Sequence, residues 1–440
     1  MHMIFSLAAL AMLPASSVSP TTAVARADTQ VVEGRKIATA IRALLDKYYV
    51  IENLRPKFDA RIDAGLASGR YDTTDSEQLV ERLNEDLHAV TADKHLHAMF
   101  DPERSRALAS APAGSHADDA SPTAAEVADA ERRNHGLNQL KIFPGNIRYL
   151  ETTGFVWAGE ASERAYDDAM RFLAGGDAAI IDMRINGGGS PDAVRYLVSH
   201  FLPADKPLMT FHMTTSGTTS TATLPRLRAP SMAGKPLYVL TSSGTASAAE
   251  EFVGHVSGYK IGELIGETTA GAGFRNQFFA LPGGMVISIS VGQAILASTG
   301  KGWEAVGFAP DTTAPVDKAL EVAEAHAFKR FAESASPAKR RNFDVQAALL
   351  LAEVTPVKTA LPASGYAGVY GERTVRADIN GITIQRTGGP VTELVAIGPN
   401  LFAYTNDPGA TLSFDVAGNQ AIALHLVRSD GSTADGTRQR

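Results

Sequence analysis

Twice in this chain a short, unbroken apolar run passes through a turn of small residues directly into an amphipathic helical period. The first run covers residues 178–183, followed by Asn186-Gly-Gly-Gly-Ser190 and a helical pattern over 191–201. The second is Tyr238-Val-Leu-Thr-Ser-Ser-Gly-Thr-Ala-Ser247-Ala-Ala-Glu250, with Leu237, Val239 and Leu240 as the strand and Ala248, Phe252, Val253 and Val256 setting the helical period. Runs this short and apolar suit strands covered on both faces, so the pattern predicts an α/β layer with a largely parallel core. Residues 147–149 and 154–157 read as further strands and 161–173 as a helix. Residues 285–291 and 294–297 read as strands that extend the same layer.

On either side of that layer the periodicity changes. From Val31 to about Arg104 it is helical, with Ile37, Ile41, Leu44, Leu45 and Tyr48 on one stripe and Leu79, Val80, Leu83 and Leu87 on another. Thr74 and Glu77 have capping-box spacing at the start of the second stripe. In Asp93-Lys94-His95-Leu96-His97-Ala98-Met99-Phe100, alternation predicts a strand with Leu96, Ala98 and Phe100 inward and His95 and His97 on the other face. Residues 105–125, rich in Ala, Ser, Pro and Asp, read as a surface loop. After Asp311 an Ala-rich helical stretch runs to about Glu353 and is broken by Thr355-Pro356 and Leu361-Pro362. Beyond it, residues alternate around Asn380-Gly381, a hairpin signal, and short strands follow to the end.

The domain order expected is a signal segment (1–27), an N-terminal helical region (28–104), an α/β core (136–325), a helical linker (326–360) and a small antiparallel β-domain (361–440). The signal reading rests on an apolar core from Ile4 to Leu13 and on Ala25-Arg26-Ala27 before Asp28, and implies export to a periplasm or the exterior. No later stretch has the length of apolar sequence needed to span a membrane. A net charge of -7 with no basic face beyond Lys339-Arg340-Arg341 argues against a nucleic-acid partner. The absence of cysteine excludes thiol catalysis, disulfides and thiolate metal sites, and no cofactor or metal is called for. Oligomeric state is left open.

Ser247 falls where a helix begins. A serine there is first of all an N-cap, but the free N–H groups of a helix start also hold an oxyanion beside a nucleophile. The glycines at 188 and 189 let bare backbone N–H groups face a ligand, although the spacing is not that of a dinucleotide site. His95 is the candidate base. Glu304, between Trp303 and Gly307, is the candidate acid that fixes an imidazole tautomer.

Thr-Ala-Ser247-Ala-Ala-Glu250 resembles the nucleophile motif of the C-terminal processing (tail-specific) serine protease superfamily, which includes the tricorn core protease and interphotoreceptor retinoid-binding protein. The glycine turn after Asp182-Met-Arg184, the segment Gly266-Glu-Thr-Thr-Ala-Gly271 and Trp303-Glu304-Ala-Val-Gly307 occur in the same order as in that superfamily. One branch uses a lysine about 25 residues after the serine; Ala272 stands there. The tricorn and retinoid-binding-protein-like branch uses an early Asp-x-His-Leu histidine and a later glutamate, which His95 and Glu304 match. The resemblance implies a ClpP/crotonase-like core and an acyl-enzyme peptidase with Ser247, His95 and Glu304 catalytic and Gly188, Gly189 and Ala248 forming the oxyanion hole. Tricorn has a serine before its histidine; Lys94, an auxiliary candidate, stands there, which implies a triad in place of a tetrad. The stretch 104–145 is too short and polar for a PDZ insert. Two other readings stand: a non-catalytic binder of apolar ligands or peptides on this fold, and a penicillin-recognising hydrolase built on Ser257-x-x-Lys260, whose partner motifs are missing.

Overall fold

The computed structural model describes residues 20–439 except 74, 111–121, 380 and 408. Residues 1–19 of the expected signal segment and Thr74 of the expected capping box therefore lie outside the described residues. The chain divides into two compact units. The first comprises residues up to 115 with 213–217 and 274–292, and the second comprises the remainder.

In the first unit the helices Pro20–Tyr48, Arg55–Ala67 and Ser76–His88 carry the two predicted stripes. Ile37, Ile41, Leu45, Phe58, Leu79, Leu83 and Leu87 form one buried cluster, each removed from water and so favouring the compact state by roughly 1.5–3 kcal/mol. The helix Ser76–His88 is capped by Asp75, whose carboxylate accepts from the N–H groups of Glu77 and Gln78. Asp86, on its inner face, accepts from the Tyr71 hydroxyl at 2.7 Å and from Arg61 and Arg70. The strand His97–Phe100 begins two residues later than the alternation suggested, because Lys94 and His95 form a turn. Phe100 is 48% exposed and does not join the core. This strand pairs antiparallel with 285–288, so the long strand Met285–Leu296 does not extend the parallel layer as expected.

In the second unit a six-stranded sheet has the order Thr312–Thr313, Glu263–Gly266, Leu237–Thr241, Ala178–Asp182, Ile147–Thr152, Leu137–Phe143. All neighbours are parallel except the last pair. Ala178–Asp182 and Leu237–Thr241 are buried along their whole length, as their continuous apolar character requires. Residues 154–157 are not a strand. Phe155 forms a single bridge to Gly189, giving its N–H to Gly188 O and accepting from Ser190 N–H, both at 2.8 Å. Two helices, Pro102–Ser110 in the first unit and Ala124–Arg132 in the second, take in the two ends of the expected loop, whose residues 111–121 lie outside the described residues; the second is started by a Thr123–Glu126 capping box.

The helices Ala319–Ser334 and Pro337–Val354 pack on the sheet's apolar face through Ala323, Ala327, Phe328 and Ala347. Eight antiparallel strands follow in simple sequence order from Gly368–Tyr370 to Thr433–Thr437. The hairpin expected at Asn380-Gly381 joins Arg373–Asp378 to Gly381–Arg386, with Asn380 itself outside the described residues. A bridge between Tyr370 and Arg438 and the bond from Gln439 N–H to Val369 O bring the last strand back to the first.

Candidate active site

Three loops of the second unit converge at the ends of its parallel strands, where α/β sheets place ligands. The first is the glycine turn. Asp182, 2% exposed, closes its strand by accepting from the Tyr149 hydroxyl at 2.7 Å and from the Arg184 guanidinium. Asn186, fully buried, gives its amide to Thr152 Oγ1 and accepts the N–H of Gly188 at 2.9 Å. That second bond engages the Gly188 N–H inside the turn, so Gly188 is not a free oxyanion donor. Its role is steric: at φ 107° a Cβ here would lie 2.8 Å from Ser247 Cβ. Gly189, at φ 137°, would clash with Phe155 O in the same way.

The second loop is the strand-to-helix turn. Ser247 has φ 55° and ψ −120°, a backbone conformation that costs of order 1–3 kcal/mol for a residue with a side chain. The helix Ala248–Tyr259 starts immediately after it, and Ala248, at its first position, has no intrahelical acceptor for its N–H. The turn is laced to the glycine loop by Ala246 N–H to Asn186 O, Thr245 Oγ1 to Met183 O and Ser242 Oγ to Arg184 O.

Glu250 holds the strained serine. Its carboxylate is 0% exposed and accepts from Ser247 N–H at 3.0 Å, Thr269 Oγ1 at 2.6 Å, Gly271 N–H at 2.7 Å and Ala272 N–H at 2.8 Å. Glu250 lies within the motif Thr-Ala-Ser247-Ala-Ala-Glu250, where no role was expected of it. Its spacing to Ser247 is the capping-box spacing, a signal that could have exposed it.

The third loop carries Glu304. It is half-buried, and Gly273 N–H donates to its Oε2 at 2.6 Å. Trp303 Nε1 donates to Ala272 O, Ala305 N–H to Gly271 O, and Phe308 N–H to Thr269 Oγ1. The segment 269–273 thus lies between the serine turn and the glutamate loop and is bonded to both. Ala272, where the lysine-using branch would have its base, is 4% exposed with both backbone groups engaged.

His95 and Lys94 belong to the first unit. His95 follows Asp93, which is 2% exposed and accepts the His95 N–H at 2.9 Å. Burial lowers the imidazole pKa from its ordinary value; Asp93 opposes this, and His97 and Arg275 add to it. Asn84 steadies the following strand by donating to Ala98 O at 2.9 Å and accepting Ala98 N–H at 2.7 Å. Lys94 is exposed. Among the described residues no group of His, Asp and Glu is arranged to hold a metal ion, and no helix is long and apolar enough to cross a membrane.

Residues 146–314 match peptidase family S41, and residues 31–135 match the N-terminal domain of Peptidase_S41 in eukaryotic IRBP. A carboxyl-terminal-processing protease of Synechocystis is 29% identical over 146 residues, which are 32% of this chain and 33% of the relative. The chain therefore spans about a third of the length of that curated relative. Among solved structures, the photosystem II D1 C-terminal processing protease aligns at 17% identity and a TM-score of 0.42, covering 64% of this chain and 93% of that one. Mature CPAF aligns at 12% identity and a TM-score of 0.46 over 74% of this chain and 99% of its own. The tricorn protease aligns at 11% and 0.39, over 64% of this chain and 34% of its own.

Proposed function

The chain belongs to peptidase family S41, and from that premise we propose that it is a serine peptidase acting on peptide or protein substrates through Ser247, His95 and Glu304. The observation that carries this reading is Ser247 itself, a strained residue at a helix start, held by a buried carboxylate and faced by a glycine that leaves room beside it. An N-cap needs none of that strain.

Ser247 Oγ attacks the peptide carbonyl, and His95 takes its proton and then gives it to the leaving amine; water hydrolyses the acyl-enzyme by the same route in reverse. A burial-lowered pKa keeps His95 neutral, and so able to accept a proton, near pH 7. Glu304, aimed by the Gly273 N–H, orients the imidazole and stabilises it when charged. The N–H groups of Ala248 and Gly189 receive the oxyanion, each worth about 3 kcal/mol in the transition state. With Ala272 in place of a lysine, the histidine supplies the base. The enzyme is exported and works without a PDZ insert.

Ser247→Ala, checked for an unchanged fold, is expected to abolish both peptide hydrolysis and labelling by a fluorophosphonate. Labelling that persists in the variant would remove Ser247 from the mechanism.

A further inference from the structure

The C-terminal barrel contains a charge that the barrel itself leaves unanswered. Arg373 lies two residues before Val375 on the same strand, hence on the same, inward face, and it is 7% exposed. Its guanidinium makes no hydrogen bond or ion pair with any described residue. Arginine is almost never buried without a partner, and no Arg373 nitrogen is among the fully buried atoms that lack one, so its charge opens onto the space it lines. Its cross-strand neighbour Arg386 is different: that side chain lies at the rim and donates to Glu372 at 3.0 Å.

Arg373 lines a cavity of about 250 Å³ with Arg428, Tyr404, Ile384 and Leu426, and Arg386 contributes to its rim. Arg428 donates to Ser432 Oγ at 3.0 Å and also has no carboxylate partner among the described residues. Both guanidiniums are close enough to the half-buried Tyr404 hydroxyl to oppose the rise in its pKa that burial, and to a lesser degree Asp407, causes. Asp407, the carboxylate on the cavity wall, pairs with neither arginine among the described residues. An eight-stranded barrel has an interior just wide enough for side chains or for one small ligand. Guanidinium forks and a phenol, with Ile384, Leu426 and Pro390 lining the same space, match a planar anion on an apolar body.

We propose that this cavity binds a small carboxylate with a short apolar body, the carboxylate held by Arg373 and Arg428 and the body by Ile384 and Leu426. The volume lies below that of drug-sized sites, which restricts the occupant to a short acid or to the last residues of a peptide chain. The inference goes beyond the peptidase reading and does not depend on it, since none of its residues belongs to the serine site.

The test uses the full chain carrying Ser247→Ala, so that nothing is turned over. Calorimetric titration compares octanoate with octanamide, and the tripeptide Ala-Leu-Leu with its C-terminal amide. At least one free carboxylate is expected to bind, with its amide at least about tenfold weaker; octanoate alone points to a free acid, the tripeptide alone to a chain end. Arg373→Met should weaken binding at least about tenfold and Arg376→Met, which lies outside the cavity and donates to Gln385, less than about threefold. Should Arg373→Met fail to fold by circular dichroism, Arg428→Gln provides the same readout. The proposal is overturned if neither carboxylate binds, if the amides bind as tightly, or if the folded arginine variants bind like the parent.

Discussion

Glu250 and Arg373 are both charged side chains withdrawn from water, 0% and 7% exposed, and their surroundings are opposites. Glu250 receives donors from Ser247, Thr269, Gly271 and Ala272, so its charge is shared among dipoles fixed by two segments, the serine turn and residues 269–272. Arg373 sits in an eight-stranded antiparallel sheet paired in sequence order, and no described residue hydrogen-bonds or ion-pairs with its guanidinium. A buried charge with a full set of partners is a structural tie, here one that holds a strained serine in place. A buried charge with none is a cost that a ligand can offset.

The comparison breaks most visibly at Glu250. Glu250→Ala strands the donors it now receives and is expected to cost about 3–5 kcal/mol in chemical denaturation. Peptidase activity is expected to fall with it even where the variant stays folded. A variant within about 1 kcal/mol of the parent and fully active would show that the tie is unnecessary.

Glu324 sharpens the contrast from the other side. It is 7% exposed, beside Glu321 and Glu353, and burial pushes its carboxyl pKa up to about 7. With the folded value above the ordinary 4.5, the native state holds the extra proton, so stability falls as pH rises from about 4.5 to about 7 and stays low above. Glu324→Gln should therefore stabilise the protein by about 2 kcal/mol at pH 8 and leave it unchanged at pH 4. An equal effect at both values would mean that the carboxyl does not titrate in that window.

The smallest effect is expected at the barrel. In ligand-free protein Arg373→Met should be neutral or stabilising by about 1 kcal/mol, because it removes an uncompensated charge and keeps the volume. A loss of more than about 2 kcal/mol in thermal or chemical unfolding would mean that the barrel does use the charge.

Much of the fold was legible because its periods are unambiguous. The runs at 178–183 and 237–240 admitted only buried strands, and the stripes at Ile37–Leu45 and Leu79–Leu87 only packed helices. Failures came where a local pattern met a partner distant in sequence. Residues 154–157 alternate like a strand, but Phe155 is claimed by the glycine turn. Phe100 continues an inward alternation and is left at the surface. Met285–Leu296 looked like one more strand of the parallel layer, and residues 285–288 pair with His97–Phe100.

What the sequence alone determined is the order of motifs: a glycine turn, a serine at a helix start, a segment with alanine in place of lysine, and a glutamate beside a tryptophan. These follow from local propensity and spacing, which chain chemistry fixes residue by residue. Only the tertiary structure decided that Glu250 binds the serine turn to residues 269–272, that Gly188 spends its N–H on Asn186, and that Arg373 faces inward without a partner. Each depends on which groups meet across many residues of chain once water is excluded, and burial decides whether a polar group there is a tie, a donor or an open site.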